Sequence, residues 1–196
     1  KSNIHEIFIS MTPEYEKNYL KVEQSTGFSK LFSNPKIFYN GVRRASNKID
    51  GEEKAPKLVW LREFLQKHKK GKCVIFSHWL ESGLKAVVKI LDQLSIKYKY
   101  INGEISKQDR KYAVKQYNSN KIRVLLISKA GSEGIDLKET RYMFLLEPAW
   151  NTATIEQIIG RGIRFKSHYK LPKSQQIVDV YKLYLVKQKE YNNLAK

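Results

Sequence analysis

The sequence predicts an α/β protein in which helices cover both faces of a parallel sheet. From residue 56 onward, short and continuously apolar runs alternate with longer segments whose apolar residues recur at helical spacing. A strand that is buried on both faces is continuously apolar, whereas a strand with one wet face alternates. The regular alternation of such strands with amphipathic helices favours a sheet that is covered on both sides.

Each apolar run is assigned to a strand, and each amphipathic segment between runs to a helix. The predicted strands are residues 73–76, 97–101, 123–127, 142–146 and 177–185, and the predicted helices are 58–65, 84–94, 107–117 and 152–160. Ligands of such sheets bind beyond the carboxyl ends of the strands. The segments that directly follow these strands are therefore the candidates for chemistry.

Residues 1–55 differ in pattern and are predicted to form a mostly helical N-terminal extension, followed by a main domain over 56–196. A helix is expected from Thr12, because Pro13 suits the first helical position and Tyr15, Tyr19 and Val22 have roughly helical spacing. We expect most of this extension to pack on the main domain, and its apolar content also allows a role in protein contacts.

The charge balance points to a polyanionic partner. Of the 196 residues, 37 are Lys or Arg and 19 are Asp or Glu, which gives a net charge of +18. The alternative is that these lysines are spread over a solvated surface without a ligand.

Cys73 is the single cysteine, so an internal disulfide is excluded and a reducing, intracellular setting is expected. We find no apolar run of the roughly 18 residues that span a bilayer. The start has no signal-peptide pattern and no initiator Met, so we expect a fragment of a longer protein without a membrane partner.

A Gly-rich segment, Ser128 to Asp136, directly follows the strand at 123–127. Small residues here let the backbone approach a ligand closely, and exposed N–H groups in such a turn can hold a phosphate. The alternative is an ordinary strand-to-helix turn.

Two arginines, Arg161 and Arg164, stand three residues apart at the end of a predicted helix. Arginine is always charged, and its planar donors match phosphate oxygens, so it can stabilise the charge of phosphoryl transfer. The alternative is a pair that complements the negative end of the helix dipole.

Polar and aromatic residues follow two other strands. Ser77 or His78 could donate to a phosphate of a nucleic-acid backbone, and Trp150 either packs, lines a cleft or stacks on a base. The four histidines lie in different segments, so a His-rich metal site has no support. Glu147 ends a strand as a Walker B acid does, but the sequence contains no phosphate-binding loop of the form G-x-x-x-x-G-K-[ST], so an intact nucleotide site is rejected.

Five segments in order resemble the C-terminal RecA-like lobe of superfamily 2 ATPases over about residues 56–188. They are KCVIFSHWLESGL, YINGEISKQDR, VLLISKAGSEGIDL, FLLEPAWN and QIIGRGIR. The forms AGSEGIDL and EPAWN are most similar to the SWI/SNF-like remodeller branch, and the opening ISMTPEYEKNYLKV resembles that branch's entry into the lobe. The tail, with Ser167-His168 and Leu171-Pro172, is instead similar to the transcription ATPases and helicases of large DNA viruses.

The resemblance implies a role for each motif. Arg164 would be the arginine finger at the γ-phosphate, Arg161 a second phosphate contact, and Gln157 the residue that couples the nucleotide to the other lobe. Gly134 and Asp136 would face the nucleotide. Residues along a nucleic-acid backbone would be Ser77, His78, Gly103, Ser128, Lys129, Ala130 and Gly131, with Trp150 as a further candidate.

The function implied is that of the second motor lobe of an ATP-dependent nucleic-acid translocase or helicase, inactive alone. A missing N-terminal lobe of the same polypeptide would supply the phosphate loop and most of the Mg²⁺ ligands, and double-stranded DNA would be the track. Transcription machinery is a further expected partner, in a virion or host cytoplasm if the protein is viral and in a nucleus otherwise. The rivals are a non-catalytic nucleic-acid-binding module and an unrelated α/β nucleotidyl or methyl transferase.

Overall fold

A computed structural model describes residues 2–25, 47–48, 54–128, 135–147, 156–157, 160 and 169–194. These residues contain one six-stranded sheet in the order β1-β6-β5-β2-β4-β3, and every neighbouring pair of strands is parallel. The strands are β1 (Ser2–Ser10), β2 (Lys72–Ser77), β3 (Tyr98–Ile101), β4 (Val124–Ser128), β5 (Thr140–Leu145) and β6 (Val178–Val186).

The described helices connect these strands in the predicted alternation. They are α1 (Pro13–Ser25), α2 (Pro56–Lys67), α3 (Lys85–Gln93), α4 (Lys107–Asn118) and α5 (Gln188–Leu194), with a π-helical turn at Leu80–Leu84 and a 3₁₀ turn at Lys173–Gln175. The parallel α/β prediction is confirmed, and the strands predicted from residue 73 onward agree with β2–β6 to within two residues at each end. Most of the predicted helix at 152–160 lies outside the described residues.

Apolar side chains fill both faces of the sheet. On one face α2 and α3 contribute Leu61, Leu65, Val87 and Leu91, which pack with the strand residue Ile75. On the other face α4 contributes Ala113 and Tyr117, which pack with Val74 and Phe76. Adjacent residues of β2 thus serve opposite cores, and all six residues of this strand are buried. This double burial is why the strand is continuously apolar in the sequence.

The N-terminal residues add a strand that was not among the predicted elements. β1 pairs in parallel with β6 along its whole length, from Ser2 opposite Val178 to Ser10 opposite Val186. It is one of the two edge strands of the sheet, and its residues Ile4 and Phe8 are exposed. The polar residues Asn3, His5 and Glu6 limit its apolar run to residues 7–9, which is shorter than the four-residue runs at 73–76 and 124–127.

Helix α1 begins at the predicted Pro13, one residue after Thr12, whose hydroxyl accepts a hydrogen bond from the N–H of Tyr15 at 3.2 Å. Tyr15 and Tyr19 are buried with Met11 and Ala55 in a small third core. Residues 2–25 thus supply one strand of the main sheet and a helix whose buried residues form this third core. Among the described residues, no helix is long and apolar enough to cross a membrane.

Candidate functional site at the carboxyl edge of the sheet

The carboxyl ends of the central strands meet at one edge, and several predicted site residues lie there. Ser77 at the end of β2 is the register partner of Ser128 at the end of β4. Ile101, which ends β3, is the partner of Ile127. The turn after β3 holds Gly103 exposed, and the Asn102 side chain fixes this turn by accepting hydrogen bonds from two backbone N–H groups.

A buried carboxylate organises this edge. Glu147, two residues beyond β5, is 1% exposed and accepts hydrogen bonds from the Ser77 hydroxyl at 2.6 Å and from the Asn47 amide at 2.8 Å. Its second oxygen accepts a longer bond from the backbone N–H of His78, at 3.4 Å. The Ser77 hydroxyl oxygen in turn accepts from the N–H of Trp79 at 3.1 Å. These bonds fix the path of the chain as it leaves β2.

A lysine completes the cluster from the other side. Lys57, in the first turn of α2, is 1% exposed. Its ammonium group donates to the side-chain oxygen of Asn47 at 3.4 Å and to the backbone carbonyl of Leu146. Asn47 therefore bridges a buried cation and a buried anion. Together, Asn47, Lys57, Ser77 and Glu147 form what we call the edge cluster, which ties four separate segments of the chain together.

The electrostatics of the edge cluster are a balance between desolvation and hydrogen bonding. Burial raises the pKa of the Glu147 carboxyl above its ordinary value, because the charged form loses its hydration. The Ser77 hydroxyl, the Lys57 charge, the Asn47 amide and the His78 N–H all oppose this shift. A charge in such a place is tolerated only with partners, and removing one partner of a buried pair commonly costs about 3–5 kcal/mol.

The turn after His78 is built around close contact with Ser77. Residues Leu80–Leu84 make one π-helical turn, in which the N–H of Leu84 bonds to the carbonyl of Trp79 at 3.1 Å. Gly83 in this turn is buried, and a Cβ placed on it would lie 2.0 Å from the Ser77 hydroxyl oxygen and 2.8 Å from the Ser77 Cβ. Only glycine fits this approach without displacing its neighbours.

Ser128 differs from Ser77 in its hydrogen bonding. The Ser77 hydroxyl is engaged with Glu147, whereas the buried hydroxyl of Ser128 has no hydrogen-bond partner among the described residues. A buried hydroxyl without a partner costs about 1–3 kcal/mol, so its presence calls for an explanation. His78, the third polar residue here, packs the edge of its half-buried ring against Phe76, with ring centroids 5.2 Å apart.

Asp136 and Gln157 are the other predicted site residues that the structure describes. Asp136 is exposed between the buried Ile135 and Leu137, and its backbone carbonyl accepts a hydrogen bond from Asn118 at 2.9 Å. Gln157 is helical and exposed. The roles predicted for both stay predictions. The remaining predicted site residues lie outside the described part of the chain: Lys129, Ala130, Gly131, Gly134, Trp150, Arg161 and Arg164.

Three residues of this site were not singled out from the sequence: Asn47, Lys57 and Gly83. A signal did exist for Lys57, because it stands four residues before Leu61 and eight before Leu65, on the apolar stripe of α2. A lysine on a buried stripe requires a buried partner. Glu147 was noted and rejected as a Walker B acid, and the structure gives it a place in the edge cluster. Among the described residues, no group of three His, Cys, Asp or Glu side chains could hold a metal ion.

Comparison with known proteins places this geometry in a family. The model of the helicase conserved C-terminal domain matches residues 56–166, which is more than half of the chain. The protein L538 of Acanthamoeba polyphaga mimivirus, which carries the name of an ATP-dependent RNA helicase, is 35% identical over 159 residues, covering 81% of this chain and 36% of its own length. A termination factor NPH-I homolog of African swine fever virus is 32% identical over 120 residues, covering 58% of this chain and 17% of that protein. The chain thus spans about a third or less of these relatives.

Solved structures agree on the fold. The C-terminal part of the Fun30 ATPase domain matches with a TM-score of 0.73 at 15% identity, covering 100% of this chain and 89% of that one. The Sulfolobus solfataricus SWI2/SNF2 ATPase core, solved in complex with dsDNA, matches with a TM-score of 0.71 at 19% identity, covering 99% of this chain and 44% of that one. The chain belongs to the helicase conserved C-terminal domain family and has the RecA-like fold of the C-terminal lobe of SWI2/SNF2 ATPases.

Proposed function

We propose that this chain is the second motor lobe of an ATP-dependent translocase that moves along double-stranded DNA. The observation that carries the proposal is the alignment of Ser77, Gly103 and Ser128 at one edge of the sheet, with the edge cluster fixing the backbone beside them. In parallel α/β sheets this edge is where ligands bind. The complete protein, its substrates and its partners are part of the proposal, because the chain spans only a fraction of its relatives.

The proposed contacts to nucleic acid are chosen by asking which polar groups at this edge already have a hydrogen-bond partner within the chain. The Ser77 hydroxyl is engaged with Glu147, so its contribution is to hold the exit from β2 in place. The buried Ser128 hydroxyl has no partner among the described residues, and a phosphate oxygen that reached it would supply the hydrogen-bond partner that it lacks. Contacts of this kind fix a duplex without reading its sequence. Support for duplex DNA comes from the net charge of +18 and from the dsDNA complex of the SWI2/SNF2 core.

The residues proposed to contact ATP or to couple it to the other lobe are Arg161, Arg164 and Gln157. ATP with Mg²⁺ would supply the phosphoryl group whose transfer drives the motion. Paired guanidinium groups suit the charge on the γ-phosphate, so the donor chemistry fits. The ligands of Mg²⁺ would come mainly from an N-terminal lobe that also carries the phosphate loop. Arg164 would then complete the site only when the lobes close, as lobe closure does in other motors.

The biological setting is also proposed by analogy. The viral relatives include proteins named as an RNA helicase and a termination factor, and the Ser167-His168 and Leu171-Pro172 tail is similar to this group. We propose a role in transcription of a large DNA virus, in the virion or the host cytoplasm, with transcription machinery as the partner.

The test is ATP hydrolysis by the full-length protein, with and without duplex DNA. We expect strong stimulation by DNA, and a loss of about 10³–10⁵ in turnover for Arg164→Ala. The matched control is Arg62→Ala, because Arg62 is exposed on α2, and it should hydrolyse ATP normally. Salt-sensitive DNA binding without any hydrolysis by the wild type would instead favour a non-catalytic binding module.

A further inference from the structure

A cavity lies at the edge of the sheet opposite the candidate functional site, where the strands begin. Its volume is about 1150 Å³, and it is open to solvent. Its walls are the amino ends of β2 and β5, the residues just before β3 and β4, and the carboxyl ends of α2, α3 and α4. Because the strands are all parallel, the length of the sheet separates this cavity from the candidate functional site at the carboxyl edge.

The cavity is strongly cationic. Among the lining residues that the structure describes, one carboxylate, Glu139, stands against six cationic side chains: Lys69, Lys72, Lys97, Lys121, Arg123 and Arg141. Cations do collect at helix carboxyl ends, but each such end carries only about half a negative charge. Three helix ends together with Glu139 therefore offset less than half of the positive charge.

Several of these cations are held in place by neutral groups. The Arg123 guanidinium donates to the carbonyls of Gly71, at 3.1 Å, and His68. Arg141 donates to the carbonyl of Ile177 at 2.7 Å, and Lys72 to that of Tyr117 at 3.0 Å. Carbonyl partners fix the position of a cation without neutralising it. Lys72 also lies 3.9 Å from the Glu139 carboxylate, the one acidic group of the lining counted above, so the cations of the lining stay in excess.

The cavity also has an apolar floor, which discriminates between kinds of anion. Leu65 and Ile122 are almost fully buried beneath it, and Leu94, Ile96 and Leu171 are partly exposed along it. A phosphate backbone carries no apolar side chains that could pack on this floor. An acidic peptide with interspersed Leu or Phe side chains would use both features, because its carboxylates would meet the cationic rim and its apolar side chains the floor.

We infer that this cavity, which we call the basic cavity, binds an acidic peptide segment of a partner protein that carries apolar anchor residues. The inference does not depend on the proposed motor function, since the two sites lie at opposite edges of the sheet.

The test uses a short fluorescein-labelled peptide in which Glu and Asp alternate with Leu and Phe, and fluorescence anisotropy measures its binding to this chain. The variant Lys97→Glu/Lys121→Glu reverses two exposed charges of the basic cavity. The control Lys89→Glu/Lys189→Glu makes the same change in net charge at exposed positions outside it. We expect the cavity variant to bind about tenfold more weakly or worse, and the control to bind as the wild type does.

Two further arms test the partner's chemistry. A polyglutamate peptide of equal length should bind more weakly than the mixed peptide, because it cannot fill the apolar floor. A fluorescent dye attached to Gln66→Cys, at the cavity wall, should change its emission when the mixed peptide binds. Labelling is specific to the new thiol, because Cys73 is buried.

Equal losses in both double variants, or equal binding of polyglutamate, would overturn the inference. The inference would also be overturned if the mixed peptide did not bind and an oligonucleotide bound in a way that depends on Lys97 and Lys121. ATP hydrolysis by the full-length protein should be unchanged in the cavity variant, which separates failure of this inference from failure of the proposed motor function.

Discussion

Gly83 and Ser77 pack so closely that a methyl group on Gly83 would lie 2.0 Å from the Ser77 hydroxyl oxygen. That hydroxyl is also the donor of the 2.6 Å hydrogen bond to the buried Glu147. One glycine therefore sets the position of the first residue of the proposed DNA track. The π-helical turn at Leu80–Leu84 brings Gly83 against Ser77 at the end of β2.

Gly83→Ala should lower the free energy of unfolding by about 1–3 kcal/mol, because the new methyl group must displace Ser77 or the turn. Gly160→Ala is the matched control, since no atom of the described residues lies within 4 Å of the position of its Cβ. It should be neutral or slightly stabilising. Urea denaturation of the two variants measures the difference. Adding Ser77→Gly to Gly83→Ala should recover part of the loss, and a Gly83→Ala variant as stable as Gly160→Ala would show that the close contact does not exist.

Glu147→Ala should destabilise the chain by about 3–5 kcal/mol, because it leaves the buried Lys57 ammonium without its carboxylate. Glu104→Ala, at an exposed position, should change the unfolding free energy by less than about 0.5 kcal/mol. The double variant Glu147→Ala/Lys57→Met should be more stable than Glu147→Ala alone, since it removes both charges. Additive losses in this double-mutant cycle would contradict the electrostatic coupling.

Ser128→Ala should separate stability from DNA binding. Removing a buried hydroxyl without a partner should leave stability unchanged or raise it by about 1 kcal/mol. The affinity of the full-length protein for duplex DNA should nevertheless fall, because a phosphate donor is lost. Thermal denaturation and anisotropy of a labelled duplex measure the two effects. A drop in stability together with unchanged DNA affinity would mean that the Ser128 hydroxyl serves the fold and not the track.

Lys72 should make stability depend on pH above neutrality. Burial lowers the pKa of its ammonium group to about 8, against 10.5 in the unfolded chain, and the nearby Glu139 only partly opposes this shift. Between about pH 8 and about pH 10.5 the unfolded state then binds more protons, so stability rises with pH by up to about 3 kcal/mol. Below about pH 8 the Lys72 side chain is charged in both states, so the folded protein bears the full free-energy cost of burying that charge.

The measurement compares urea unfolding of the wild type and Lys72→Met across this range. Other groups titrate in both proteins, so the difference isolates Lys72. The wild type should gain stability relative to Lys72→Met as pH rises. A difference that stays constant with pH would contradict the lowered pKa.

The sequence predicted the central sheet well, because its strands are buried on both faces and appear as unbroken apolar runs. β2, all of whose residues are buried, was found to within one residue at each end. Strand β1 was not predicted, because Asn3, His5 and Glu6 interrupt it and leave an apolar run of only three residues, 7–9. Helix α5 escaped because none of its residues is buried, so it has no apolar stripe.

The candidate site was only partly accessible from the sequence. Ser77 and Ser128 could be placed at one edge, because each directly follows a predicted strand, whereas Gly103 was named through the family resemblance. The edge cluster could not be foreseen, since Asn47 and Glu147 are 100 residues apart and meet only through the fold. The close approach of Gly83 to Ser77 depends on a π-helical turn, for which the sequence LESGL carries no recognised signal.

Movement along duplex DNA is the central claim, and ATP-driven displacement of a third strand from a DNA triplex tests it most directly. The full-length protein should displace the strand only when ATP is present, and Arg164→Ala should bind the duplex equally well without displacing it. Hydrolysis of ATP by the wild type with the third strand left in place would contradict translocation. Equal displacement by Arg164→Ala would contradict the assignment of the arginine finger to this lobe.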